Sequence, residues 1–231
     1  MSRTHRICLT LVGNLMYGFL LFSSLVFAVE PVAESQWVAA GKVDGVSLFE
    51  KSVKQSDFLA FRGEGLVEAP VWKLASIVLD AVRFTEWIDD VEDAHIVSRL
   101  DPLQFISYSH IGTPFVVKDR DFVNRVRLEW EPSFQLFKMF FEPDKSFTVS
   151  KTDYVRGEVQ GSFQLKAHAK GTWVVAELHA NPKGTVPSWI VNVFQKSWAE
   201  NTFKGLRTQV RKADVLPPKE FKDLFRELKF P

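Results

Sequence analysis

One cysteine, Cys8, occurs in the 231 residues, and it lies close to the N-terminus. Disulfides, thiolate metal sites and Cys–His nucleophilic catalysis are therefore excluded from the body of the chain. An excess of either charge is also missing: 29 basic side chains face 28 acidic ones, so a dedicated nucleic-acid binder is excluded. The sequence has no GxSxG elbow, Walker-type phosphate loop, HExxH helix or EF-hand loop. Histidines 95, 110, 168 and 179 never fall at the i, i+4 spacing of a helical metal site. No internal repeat or low-complexity linker divides the chain. What is abundant is apolar and aromatic: 46% hydrophobic residues with 21 Phe and 7 Trp, against 25% charged. That balance excludes disorder and a polytopic membrane protein, and it provides for a sizeable core.

The N-terminus carries a targeting pattern. Arg3, His5 and Arg6 precede an uncharged stretch from Ile7 to Val29, and Val26 and Ala28 stand at signal-peptidase spacing. The expectation is a signal peptide over 1–28 and one domain over 29–231. Export would be to the periplasm or another extracytoplasmic space, and a retained N-terminal membrane anchor is the alternative.

Periodicity then sets out the elements. Residues 30–40 read as a short helix presenting Trp37, and 43–50 and 57–68 as strands, with Gly63 and Gly65 marking a bulge. Pro70 opens a helix with Val71, Leu74, Ile77, Val78 and Val82 on one face, and Arg83–Ile88 makes a further helical turn. From Ala94 to Ala180 the pattern is β. In its clearest strand, Phe122, Val126, Leu128 and Trp130 alternate with Val123, Arg125, Arg127 and Glu129, giving one wet face. Pro187 starts the longest helix, to about Arg211, with an apolar stripe of Ile190, Val191, Phe194, Trp198, Thr202, Leu206 and Val210. A tail helix lies within 217–231. The fold class is α+β, one antiparallel sheet covered by one dominant helix. Asp89, Asp90, Glu92 and Asp93 read as a solvated loop, and no constellation argues for catalysis.

Local phrases give a sharper reading. "DGVSLFEK", "FLAFRGEG", "RFTEWI", "YSHIGTPFVVKDRDFV", "DYVRGEVQGSF" and "NPKGTVPSWIVNVFQ" resemble, in this order, the START (StAR-related lipid-transfer) family over about residues 35–212. The resemblance implies a helix-grip fold, a curved antiparallel sheet wrapped around a long C-terminal helix. It also implies lipid binding and intermembrane transfer through a hydrophobic cavity, with no enzyme activity, cofactor or metal. The partners implied are a lipid (sterol-like lipid, phospholipid or fatty acid) and a transient membrane contact, with the protein a monomer.

On this reading Phe122, Asn124, Val126 and Leu128 line the cavity, and the preceding strand turns Ile106, Tyr108 and His110 inward. Ile190, Val193, Phe194 and Trp198 form the lid, and Phe115, Val116 and Val117 a membrane-touching gate loop. Arg120, between Asp119 and Asp121, and Arg156 read as structural arginines held by carboxylates. The buried acid–base pair of steroid-handling members has no counterpart: its arginine falls on Val126 and its acid near His110. Alternatives from other classes are a helix-grip cyclase or hydrolase using His110 and Tyr108, or a lipid sensor.

Overall fold

The computed structural model describes residues 36–113, 118–147 and 153–228. Residues 1–35 carry the expected signal peptide, and 114–117 carry the expected gate residues Phe115, Val116 and Val117; both lie outside the described residues.

Among the described residues, ten strands make one sheet. In chain order they are β1 (Val38–Val43), β2 (Val46–Ser52), β3 (Leu59–Val67), β4 (Val91–Asp101), β5 (Gln104–Ile111), β6 (Arg120–Glu131), β7 (Leu136–Pro143), β8 (Val155–Arg156), β9 (Glu158–His168) and β10 (Gly171–Asn181). The spatial order is β1-β2-β3-β10-β9-β7-β6-β5-β4, all antiparallel, while the two-residue β8 pairs with β6 in parallel. Among the described residues the helices are α1 (Val71–Leu79), α2 (Ser188–Gln209) and α3 (Lys222–Leu228), with 3-10 segments at Ala81–Glu86, Pro132–Phe134 and Lys219–Phe221. This is the curved sheet and C-terminal helix of the helix-grip α+β class. Among the described residues no helix is long and apolar enough to cross a membrane.

Several elements follow from local chemistry. Asp44 and Gly45 both have positive φ, and Val43 pairs with Val46, so β1 and β2 form a tight two-residue hairpin. This hairpin corrects the helix expected over 30–40: of its described residues, 36–40, the last three belong to the edge strand β1. Pro70 opens α1 and Pro187 opens α2, each supplying a preset φ where a helix start needs no N–H. Because α1 stops at Leu79, Val82 falls beyond it and is exposed rather than part of its buried face.

Registration across the sheet gives continuous rows of side chains on the face that meets α2. Gly63, Ala176, Phe163, Met139 and Leu128 form one row, and Phe61, Leu178, Gly161, Phe141 and Val126 the next. Gly63 and Gly65 sit in uninterrupted ladder positions, not in a bulge. A Cβ built on Gly63 would stand 2.8 Å from the Phe203 ring, so the missing side chains make the groove into which α2 lowers that ring. Further along α2, Gly205 rides against Trp87, where a Cβ would collide with the Trp87 carbonyl oxygen. Backbone cannot yield there as a flexible side chain would. Gly205→Ala is therefore expected to cost about 3 kcal/mol in a denaturant titration, at the upper end of overpacking effects.

The buried face of α2 is Val191, Gln195, Ala199, Thr202, Phe203, Leu206 and Gln209. That phase differs from the expected stripe and leaves Val193 and Phe194 on the solvent side. The reason is polar. Gln195 accepts the Ala180 N–H at 2.8 Å and donates to the Ala180 carbonyl at 3.1 Å, so an amide takes a slot that a hydrophobicity count gives to an apolar residue.

Candidate functional site

The face of the sheet under α2 is graded from one end to the other. At the end formed by the β9–β10 turn, Phe137, Leu165, Val174, Phe203 and Leu206 are fully buried. At the opposite end, where β2, β5, β7 and β10 finish and α2 begins, inward residues stay partly open. Leu59, Ile96, Phe141, Leu178, Ile190 and Trp198 are only half-buried although they are apolar. Phe141, Phe163 and Trp198 form an aromatic chain, with centroids 6.4 Å and 6.2 Å apart. At this open end Leu59, Ile96, Phe141 and Trp198 pack against the core yet keep part of their apolar surface open, unlike the fully buried set at the other end.

Of the expected cavity residues, Phe122, Asn124, Val126 and Leu128 lie on this face, because Val126 pairs with Phe141 and Leu128 with Met139. Ile190 and Trp198 border it from α2. Ile106, Tyr108 and His110 do not. Strand β5 pairs Phe105 with Val126, Ser107 with Asn124 and Ser109 with Phe122, so those residues turn inward and the expected three turn outward. A one-residue error in register exchanges the two faces of a strand. The outward face hides its bulky side chains under the β7–β9 connection: Ile106, Tyr108 and Val123 form a separate cluster against Val97 and Phe147. Burial there pushes the Tyr108 hydroxyl above its ordinary pKa.

Sequence reasoning missed Ser107 and Ser109. With Asn124 they are polar groups on the inward face, the two serines half-buried, and the Asn124 amide already donates to the Val159 carbonyl at 2.5 Å. The available signal was the alternation in "FISYSHI" itself, where the small polar set, not the bulky set, faces the space.

The outer face carries the ion pairs that hold the open end together. Arg156 grips the buried Asp121 in a two-point bond, both N···O distances 2.8 Å. Arg120 corrects the expectation of an arginine held between carboxylates. Its buried guanidinium donates to the carbonyls of Lys118, Pro182 and Lys183, tying β6 to the turn before α2, and burial lowers its pKa. Asp119 turns instead to the loop root: one oxygen accepts the Thr113 N–H at 2.9 Å and the other lies 3.0 Å from His110 Nε2. The Thr113 amide first, then His110, hold the Asp119 carboxyl below its usual range. Tyr154 stacks on the His110 ring at 4.0 Å. Glu92 lies 3.6 Å from His110 Nδ1, so Glu92, His110 and Asp119 gather three metal-type ligand atoms within 4.8 Å of one another. The two carboxylates address opposite ring nitrogens, so His110 links Glu92 to Asp119, which in turn holds Thr113. Burial alone would raise Asp144, but hydrogen bonds from Ser146, Arg125 and Phe147 outweigh it and leave that carboxyl low.

Residues 46–214 match the family model described as START domain. The chain belongs to the START family. An uncharacterized protein of Pseudomonas aeruginosa is 27% identical over 203 residues, spanning 85% of this chain and all of that relative. The STAR-related lipid transfer protein of Xanthomonas axonopodis superposes with a TM-score of 0.69 at 25% identity, covering 76% of this chain and 99% of that one. Human StAR-related lipid transfer protein 5 gives a TM-score of 0.67 at 18% identity over 76% of this chain and 86% of its own, a likeness of fold. The START match begins at Val46, the first residue of β2, and reaches past α2, so it takes in the whole graded face.

Proposed function

We propose that this START domain binds a single lipid between α2 and the inward face of the sheet and carries it between membranes, without catalysis. The observation that carries the reading is the match to the START family across the elements whose apolar inward residues stay half-buried at the open end. Carrying suffices as a function on energetic grounds. Moving a 16-carbon chain through water costs on the order of 13 kcal/mol at about 0.8 per methylene, and an apolar cavity removes most of that barrier. Ser107, Ser109 and Asn124 are then the polar groups available to select a headgroup or hydroxyl. The two groups that an enzyme would have needed, His110 and Tyr108, face away from the space. Phospholipid, fatty acid and sterol-like lipid all remain within this reading, and export to a periplasmic or other extracytoplasmic space is part of it.

Membrane contact is read from α2. Trp189, Val193 and Phe194 are 69%, 59% and 49% exposed and share one side of its first turns, at the open end. Three large apolar side chains grouped at a cavity mouth suit brief insertion into a lipid surface. Replacing all three with serine is expected to slow lipid transfer between vesicles at least tenfold with an unchanged Tm, because exposed side chains contribute little to stability. An unchanged transfer rate would remove α2 from the contact. Lipid extracted from protein purified from its host and identified by mass spectrometry tests the binding itself; finding neither bound lipid nor uptake of fluorescent lipid would reject it.

A further inference from the structure

On the outer face, at the open end, the sheet carries a small cavity of about 240 Å³. Its origin is legible in the register. Lys51 pairs with Ala60 and His179 with Gln160, and these four form one row across β2, β3, β10 and β9 on the side away from α2. Ala60 is the short member, so the row dips between long neighbours. Trp37 closes one side: the Lys51 ammonium stands 4.7 Å and the Arg62 guanidinium 5.8 Å from its ring centroid. Lys54 reaches the rim from the turn after β2.

The charges are not balanced locally. Arg62 is matched by Glu64 and by Glu177, the latter at 3.6 Å, which also accounts for the acid in the cavity wall. His179 is tied to Ser56 Oγ at 3.0 Å, and burial lowers its pKa, so it contributes a neutral wall. Among the described residues, Lys51 and Lys54 have no carboxylate partner. Lys51, Lys54 and Gln160 thus line one recess beside the Trp37 ring, so it is bordered by two lysines with no matching carboxylate among the described residues.

We infer that this recess is a second, external site, and that it takes the phosphate of an anionic phospholipid headgroup while the lipid stays in the membrane. Lysine meets phosphate as a point charge with freely rotating donors, which suits a group held at an interface. Location selects the membrane as the source. The Leu59 N–H beside Ala60 donates to Asn192 Oδ1 at 2.9 Å, and Ala180 beside His179 is bonded to Gln195, so the recess is coupled to the turns of α2 that expose Trp189, Val193 and Phe194. An apolar strip and a cationic recess on one rim form a two-part membrane contact. The inference rests on the reading that this rim meets a membrane.

The test is co-sedimentation of the full-length protein with phosphatidylcholine vesicles and with vesicles containing phosphatidylglycerol, at low and at physiological salt. The wild type should bind the phosphatidylglycerol vesicles more tightly, and K51Q/K54Q should lose roughly 30-fold of that affinity while matching wild type on phosphatidylcholine. K166Q/K170Q, altered at the opposite end of the sheet, should keep the full gain. A K51Q/K54Q protein that keeps it, or a K166Q/K170Q protein that loses it equally, overturns the site. Inorganic phosphate that shifts the amide resonances of Lys51, Lys54 and Gln160, with no phosphatidylglycerol gain in the wild type, overturns the membrane source. Loss of all vesicle binding on serine substitution of the α2 strip, with K51Q/K54Q unaffected, rejects the recess and leaves the membrane reading intact.

Discussion

Arg156→Ala is expected to cost about 3 kcal/mol and to lower Tm by roughly 6–12 °C, because it removes the two-point cationic partner of a buried carboxylate. Asp121 is 1% exposed, and Arg156, though 41% exposed, donates a hydrogen bond to each of its two carboxylate oxygens. The arginine fork thus meets the buried charge on Asp121 at both oxygens. The same two residues pair in the parallel β6–β8 contact, and the Gly157 N–H donates to the Asp121 carbonyl at 3.0 Å. Breaking the pair therefore also loosens the connection that covers Ile106, Tyr108 and Val123. Two further variants separate these effects. Asp121→Asn alone keeps a polar group and removes the charge; combined with Arg156→Met it should recover a substantial part of the loss seen in Arg156→Met alone. A double-mutant cycle with no coupling would show that the pair does not act as a unit. The measurement is reversible urea unfolding followed by tryptophan fluorescence.

Much of this fold is written in short-range signals. Pro70 and Pro187 mark helix starts, Asp44-Gly45 marks a hairpin, and the alternation in β6 separates its two faces; each is a constraint between residues a few positions apart. Longer-range relations were legible only through the family phrases, which also carried the helix-grip class. Physics explains what failed. The face of β5 depends on whether something covers the outer side of the sheet, and Phe147 and Tyr154 come from a segment far along the chain. Without that cover, Ile106, Tyr108 and His110 read as inward because bulky residues seek burial. The phase of α2 departed in part for the complementary reason: Val191, Thr202 and Leu206 are buried as expected, but Gln195 and Gln209 also fill inward slots, so the stripe of buried positions is not the stripe of hydrophobic ones. Gly63 and Gly65 read locally as a bulge, since only the partner ring of Phe203, about 140 positions away, gives their missing side chains a meaning. Arg120 shows the limit of neighbours in sequence: flanked by two aspartates, it bonds to neither and secures the turn before α2 through carbonyls.

Phe203→Ala should lose about 3–5 kcal/mol, the range for deleting a fully buried aromatic ring. Phe203 is wholly inaccessible to solvent, and its ring fills the groove made by Gly63 and Gly65 while α2 crosses β3. The size of the loss depends on whether that groove can collapse. Strand β3 is held on both sides, by β2 and by β10, and α2 is pinned to the sheet by Gln195 and Asn192, so neither wall is free to move in. The expected value therefore lies near the top of the range. The glycines supply the control. Gly63→Ala in the wild type pushes a methyl into a ring 2.8 Å away and should destabilise by about 1–3 kcal/mol. In the Phe203→Ala background the same methyl enters the vacated space, so its cost should vanish or reverse sign. The cycle is read from urea midpoints at a constant m-value. Equal costs of Gly63→Ala in both backgrounds would mean that the ring and the glycine groove do not meet as the packing shows. Reversal would establish that the grip of the sheet on α2 is built from two missing side chains and one ring.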